Sequence, residues 1–506
     1  MIAPNTNIYL LKTPMELNDN NTLSFTSETA KYNYFTSLPK LLLEDATYVR
    51  KDGVLRYPTS DVTYEDLLLY NYCMYQNENY DNKWFYAYID DIKYANDGMS
   101  EITLRTDCFM TWQNEIIYKT SFIEREHVSD DTIGLHTLPE DVEMGEYIIN
   151  SSERDTELDT FSYIIQVTEY TNGDVPVSVN FGGVASAGGA YICSSMLEVA
   201  TIIQAYQNGR EDAVFNVYIA PSKIINNTSG TYQYSGQNAP VTYTKTITKQ
   251  TTIDGYTPKN NKVLCYPYNF LVLDNNNGTS NILQYENFSS ANCEFEIKGV
   301  PTVGGSIKCL PKNYKGELYA EQEGIMCGKF PTCSWVNDTY TNWLTQNAVN
   351  IGVGIASSGL NMIGAVATNN PMNYANSVLG IVQSVGQIYE HSIIPNSAQG
   401  NTNGGDINVC SLKNSFYFLK KSIKKEYAKI IDDFFTMYGY KVNAVETINI
   451  NKRTYYDYIK TIGCNIVGNI PQKDLEEIRK MFDNGLTIWH NPSYFLDYSV
   501  NNTIVS

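Results

Sequence analysis

The sequence predicts a mainly β protein that closes with an α+β C-terminal unit and carries a long apolar loop or helical hairpin insertion ahead of it. Three observations predict this. Tyrosine is over-represented, at 41 of 506 residues, with abundant Asn and Thr beside it, and these residues suit polar-faced strands, turns and wet interfaces. Short alternating runs recur along most of the chain, whereas two segments near the C-terminus have helical spacing. No Asp, Glu, Lys or Arg occurs between Asp338 and Glu390, in a chain that is 18% charged with a net charge of −19.

In chain order, Asn7 to Lys12 reads as a short apolar strand. Lys83 to Ile89 has the aromatic density of a core strand, and Ser100 to Asp107 alternates, with Ile102 and Leu104 on one face and Glu101, Thr103 and Arg105 on the other. Residues 1–130 are therefore expected to form an N-terminal β portion. From Ser129 to Asn260 the pattern weakens into Gly, Ser, Asn and Thr stretches such as Phe181–Gly189 and Ile225–Gly230. A separate, loop-rich outer domain is expected over 131–260, with Val241–Lys249 as a strand. Cys265–Leu273 and Cys293–Lys298 resume alternation in a second β portion, 261–338.

The region 339–405, free of charge up to Glu390, contains two runs. Val349, Ile351, Gly352, Val353, Gly354, Ile355, Leu360, Met362, Ile363 and Val366 mark the first, Val349 to Val366. Val378, Leu379, Ile381, Val382, Val385 and Ile388 mark the second, Ala375 to Ile388. As a helix the first run would reach about 27 Å, short of the roughly 30 Å hydrocarbon core of a bilayer, and the second is shorter still. Gly352-x-x-x-Ala356, Gly354-x-x-x-Ser358 and Gly380-x-x-x-Ser384 have the small-residue spacing that lets helices approach in lipid. Asn350, Asn361 and Gln383 make both runs too polar for a permanent anchor. Composition leaves two readings, with a hairpin buried in a core slightly ahead of a segment hidden in one state and membrane-inserted in another. Each Gly within a helix costs about 1 kcal/mol against Ala, which favours a segment built to change conformation.

Beyond the Asn- and Gly-rich linker Asn396–Asp406, the C-terminal α+β portion, 406–506, begins with a strand at Ser415–Leu419. Lys424–Tyr438 follows as a helix with Tyr427, Ile430, Ile431, Phe434, Phe435 and Tyr438 at three- and four-residue spacing and Gly439 at its C-terminal stop. A second helix, Pro471–Asn484, has Pro at its start, Leu475, Ile478 and Phe482 on the inner face and Gly485 at its end. Leu486–His490 reads as a strand.

Several function classes fail on chemistry. A pI near 4.7 opposes a grip on nucleic acid, which needs cations to neutralise phosphates, but suits a conduit whose walls repel a passing duplex. Ten cysteines without a C-x-x-C pair offer neither a zinc site nor a redox motif, so buried thiols are expected. Gly354–Gly359 has the glycine spacing of a phosphate loop, yet Leu360-Asn361 stands where Lys and Ser or Thr belong. Glu124, Glu126, His127 and Asp131 lie close in sequence without a metalloprotease pattern and are expected to be a solvated charge cluster. No catalytic residue, metal site or cofactor is expected. Lys413, Lys420, Lys421, Lys424, Lys425 and Lys429 form the one basic cluster, read as a solvated helix face or as a contact for DNA or lipid head groups. Glu390 and His391, just past the apolar runs, are candidate pH-sensitive residues. Met1 to Asn7 lacks the basic and apolar pattern of a signal peptide, so cytosolic or particle residence is expected.

At Asn82-Lys-Trp-Phe-Tyr-Ala87, Thr111-Trp112 and Ser121-Phe-Ile-Glu-Arg-Glu-His-Val128 the chain resembles the tail knob, or distal tail tube, proteins of phi29-like short-tailed bacteriophages. The likeness returns at Tyr266-Pro-Tyr268 and Tyr438-Gly-Tyr-Lys441 and is densest at Asp474–Arg479, Phe482–Gly485, Trp489-His490 and Tyr498–Val500. It covers both ends in the same order, with little over 131–260.

The resemblance implies a virion protein at the distal end of the tail, a homo-hexamer of β-rich subunits forming a tube beside other tail proteins. It further implies that viral double-stranded DNA passes through the lumen without specific binding. An apolar loop from each subunit would plug the lumen and, at genome ejection, leave it to form a pore in the bacterial cytoplasmic membrane. The charge-free region has the matching place in the chain. A host-receptor adhesin and a wall-degrading tail enzyme are the alternative functions.

Overall fold

The computed structural model describes residues 6–334 and 415–505, apart from 47–48, 60–61, 78–81, 175–178, 182–183, 187, 207–209, 211–212, 226–231, 235–240, 277, 300–305, 315–323 and 328–331. The protein is mostly β-strand with few helices, and it divides into two compact units. The first comprises Met1–Glu143, Pro258–Val263 and Glu426–Ser506; the second comprises Met144–Thr257 and Leu264–Lys425.

In the first unit a six-stranded sheet runs in the order Lys40–Ala46, Thr6–Leu11, Tyr72–Asn77, Trp84–Asn96, Met99–Thr106, Val54–Pro58. Strand Met99–Thr106 alternates as its sequence predicts, burying Ser100, Ile102, Leu104 and Thr106. A five-stranded sheet, in the order Asn21–Leu23, Leu486–Trp489, Tyr456–Ile462, Thr120–Glu126, Tyr440–Thr447, interleaves strands from the two ends of the chain. Residues 426–505 thus complete their sheet with N-terminal strands, a pairing of more than 300 residues' separation that no local pattern encodes.

Helix Gln472–Asn484 buries Leu475, Ile478 and Phe482 as expected, in one core cluster with Phe109, Trp112, Ile123 and Ile488. Helix Lys425–Tyr438 follows its expected span, but its inner face differs. Ala428, Ile431, Asp432 and Phe435 are buried, whereas Ile430 is 66% exposed. The helix turns Asp432 inward because backbone donors wait there.

In the second unit, Phe161–Val167 is the inner strand of a five-stranded sheet, flanked by Gly189–Cys193 and Val214–Pro221. Helix Met196–Ala205 packs Val199, Ile202 and Ile203 on that sheet. The Ser195 hydroxyl caps it by accepting from the Glu198 N–H at 3.3 Å, and Glu198 reaches back to the Ser194 N–H at 2.7 Å. The stretch read as loop-rich therefore holds a packed sheet and helix. Ser195-x-x-Glu198 is the signal that reveals the helix start.

Val241–Thr248 pairs with Asn292–Gly299, which buries Cys293, Phe295 and Ile297 on one face. Cys265–Leu273 does not alternate as expected. Tyr266–Pro267 is a cis peptide, and the strand begins at Asn269 and is buried on every residue through Leu273. It lies between Tyr417–Ile423 and Ser280–Leu283 with both faces covered, and strands so covered read as continuous apolar runs.

Candidate functional site

The membrane-active residues expected from sequence, Val349 through Val366 and Val378 through Ile388, lie outside the described residues, as do Glu390, His391 and Lys413. Lys420 and Lys421 belong to strand Tyr417–Ile423, while Lys425 and Lys429 stand on the exposed side of helix Lys425–Tyr438, so the basic cluster is not one helix face. Among the described residues no helix is long and apolar enough to cross a membrane, and no group of three or more His, Cys, Asp or Glu could hold a metal ion. Cys73, Cys193, Cys265, Cys293, Cys309 and Cys464 are buried.

All the motif residues except Tyr266–Tyr268 lie in the first unit. Tyr86 N–H donates to Thr111 Oγ1 at 3.1 Å, and Lys83 pairs with Glu115 at 2.5 Å beneath the Trp112 ring. Trp112 Nε1 donates to Asp474 at 2.7 Å, and Lys51 pairs with the same carboxylate. Asp474 stands in the first turn of helix Gln472–Asn484, where a carboxylate complements the helix dipole. It lines a cleft of about 370 Å³ together with Asp19, Asp52, Asp90, Arg105 and Lys473. Trp489 packs tilted against Tyr456 and edge-on against Tyr498, at centroid distances of 4.5 and 5.0 Å.

Ser121–Val128 lies at the centre of the second constellation. Strand Thr120–Glu126 is inner, between Tyr440–Thr447 and Tyr456–Ile462, and both pairings slip in register near Glu124. The slip moves Glu126, rather than Arg125, to the inside after Ser121 and Ile123. Glu126 and His127 are therefore 3% and 4% exposed, which overturns the expectation of a solvated charge cluster.

Glu126 pairs with Lys452, whose Nζ also reaches Glu446 at 3.2 Å. Burial, and then the neighbouring Glu446 carboxylate, push the Glu126 carboxyl up to about 8. The Tyr458 N–H donates to His127 Nδ1 at 2.8 Å, so the ring proton sits on Nε2 and points to the Thr436 carbonyl at 3.1 Å. Burial pushes this imidazole down to about 4.

Around these residues Arg125 donates to the Gly439 carbonyl at 2.7 Å and pairs with Glu140. Glu140 also receives Lys262 Nζ at 2.5 Å and the Lys441 N–H at 2.9 Å. Asp432 accepts from the Lys259 N–H at 2.7 Å, the Asn260 N–H at 2.9 Å and Asn260 Nδ2 at 2.9 Å. Segment Pro258–Val263 is thereby strapped to helix Lys425–Tyr438. The three described histidines serve structure: His127 as above, His136 at the Asp130 carbonyl at 2.8 Å and His490 against Asp457 at 3.0 Å. The arrangement fixes strands to helices.

The family described as the C-terminal domain of Bacillus phage phi29 tail knob protein gp9 matches residues 230–503, more than half of the chain. The chain belongs to the phi29 tail knob protein family. A second family, described as the caudoviral major tail protein N-terminus, matches residues 4–119. Tail knob relatives align over nearly their whole length. The chain is 25% identical to tail knob protein gp9 of Bacillus phage PZA over 99% of this chain and 98% of that protein. It is 23% identical to the protein of the same name from Bacillus phage phi29, with the same coverage. Among solved structures, the bacteriophage C1 tail knob protein gp12 superposes with a TM-score of 0.68 at 15% identity, covering 99% of this chain and 100% of the other. That likeness establishes a tail knob fold. The motif residues quoted for the resemblance accordingly form core and ion pairs of the first unit, apart from Tyr266–Tyr268, which lies in the second.

Proposed function

We propose that the chain is a structural phage tail-tip protein, without enzymatic turnover, that assembles as a ring of six around a conduit for double-stranded DNA. Its charge-free segment plugs the lumen until ejection, then leaves it and inserts into the host cytoplasmic membrane. Full-length likeness to tail knob proteins, with an uncharged stretch lying between two conserved-order sets of motifs, carries this reading. The physics supports it: heterologous contacts can close a ring, a neighbouring subunit can cover unpaired strand edges, and a net charge of −19 keeps a duplex from sticking. Six marginal segments packed through small residues can build a wall that one 18-residue run cannot.

Electron microscopy of the purified protein is expected to show a sixfold ring with a duplex-wide hole; a monomer at all concentrations would defeat the conduit. Deleting Asn350 to Ile388 is expected to abolish leakage of dye from liposomes while the ring persists. A deletion variant that leaks like the intact protein removes the membrane role.

A further inference from the structure

Strand Tyr440–Thr447 ends its sheet and, among the described residues, is paired on one side only, with Thr120–Glu126. The pairing is interrupted between Lys441 and Ala444, where Asn443 takes a left-handed backbone at φ 47°. Near the far end of this edge strand, Glu446 shares the Lys452 ammonium with Glu126 of the inner strand. Two carboxylates thus face one cation.

The surrounding charges are committed elsewhere. Arg125 serves Glu140, Lys460 serves Glu124, and Lys441 faces Asp141. The Lys452 and Arg453 N–H groups are taken by Asp457, which also holds His490, while the Arg453 guanidinium donates to the Asn502 carbonyl. His127 contributes no charge, because its Nδ1 is an acceptor. Glu126 Oε2 is buried and receives no hydrogen bond among the described residues. An ionised Glu126 would therefore hold half a cation and one bare oxygen away from water, a costly state. A neutral Glu126 donates its proton to Glu446 and satisfies both.

We propose that Glu126 is a proton-binding site, holding one proton toward Glu446 at neutral pH, and that release of this proton loosens the edge strand Tyr440–Thr447. The two shifts agree in direction: Glu126 is raised to about 8, and Glu446 is held below the usual carboxylate range, first by its hydrogen bond from Glu126 and also by Lys452. Because the folded carboxyl of Glu126 lies above its unfolded range, its contribution to stability is present below that range and is lost as pH rises through about 8.

Infrared difference spectra of the full chain should contain a protonated-carboxyl band that disappears with a midpoint near 8 and is missing from Glu126→Gln. Amide exchange over residues 440–447, corrected for its intrinsic pH dependence, should rise about tenfold or more across that range in the natural chain. It should stay flat in Glu126→Gln, which keeps the neutral donor, and its midpoint should fall in the half-exposed Glu446→Gln, which removes the opposing charge but leaves the burial. A natural chain without the band, or a Glu126→Gln variant that keeps the natural exchange response, overturns the proposal. Where Glu126→Gln fails to fold, Glu446→Gln decides, by whether the midpoint of the band falls or stays.

Discussion

Gly439→Ala is expected to cost about 3 kcal/mol or more and to free strand Thr120–Glu126 from its neighbours, whereas Gly463→Ala is expected to cost about 1 kcal/mol. Both glycines have left-handed backbones, at φ 62° and 70°. They differ in their surroundings. A methyl group at Gly439 would sit 2.0 Å from the Glu126 carbonyl oxygen and 2.5 Å from the His127 nitrogen, and nothing lies within 4 Å of the same position at Gly463. The obstructing atoms are main chain of an inner strand, so they cannot step aside as a flexible side chain would. Relief requires helix Lys425–Tyr438 to withdraw, which removes the Arg125 bond to the Gly439 carbonyl and exposes the Glu126–Lys452 pair. Amide exchange over residues 120–128 in increasing urea measures the effect locally, as a chain with two compact units need not unfold in one step. Equal losses in the two variants would show that backbone conformation alone, and not the close approach, makes Gly439 necessary.

Gly439 was also legible in the sequence, as the stop of a periodic helix, and elements of that kind were the readable part of the fold. Met99–Thr106, Asn292–Gly299 and Gln472–Asn484 each carry a full local signal, either alternation or capped helical spacing. Asn269–Asp274 carries no alternation to read, because it is covered on both faces. Glu126 was misplaced for a sharper reason. Strict alternation from Ser121 and Ile123 puts Arg125 inside, and only the register slip, set by strands hundreds of residues away, exchanges it for Glu126. Ile430 fails similarly: it fits the apolar stripe, but the helix is rotated to deliver Asp432 to the Lys259 and Asn260 amides. The motifs behind the family likeness could be recognised without their roles being readable, since Trp112 and Asp474 meet only in the folded chain.

Replacing Asp432 is expected to have the other large effect. Asp432→Ala should cost about 3–5 kcal/mol and Asp432→Asn roughly half as much. Asp432 is fully buried and gathers two backbone N–H groups and one side-chain amide from Lys259 and Asn260. Alanine leaves the Lys259 and Asn260 backbone N–H groups without their acceptor, while asparagine retains one oxygen to receive them. Asn260 would keep its bonds from Nδ2 to the Asp432 carbonyl at 3.0 Å and to Thr436 Oγ1 at 2.8 Å, so Asn260→Ala should lose part, not all, of the strap's stability. The strap contains its own reporter, because trypsin reaches the buried Lys262 only when Pro258–Val263 lifts from the helix. Cleavage there should accelerate more than tenfold in Asp432→Ala, by less in Asp432→Asn and Asn260→Ala. The double variant should fall well short of the product of the single effects, since the two residues act through shared bonds. Unchanged cleavage in Asp432→Ala would mean that the Lys262–Glu140–Arg125 ion pairs hold the strap by themselves.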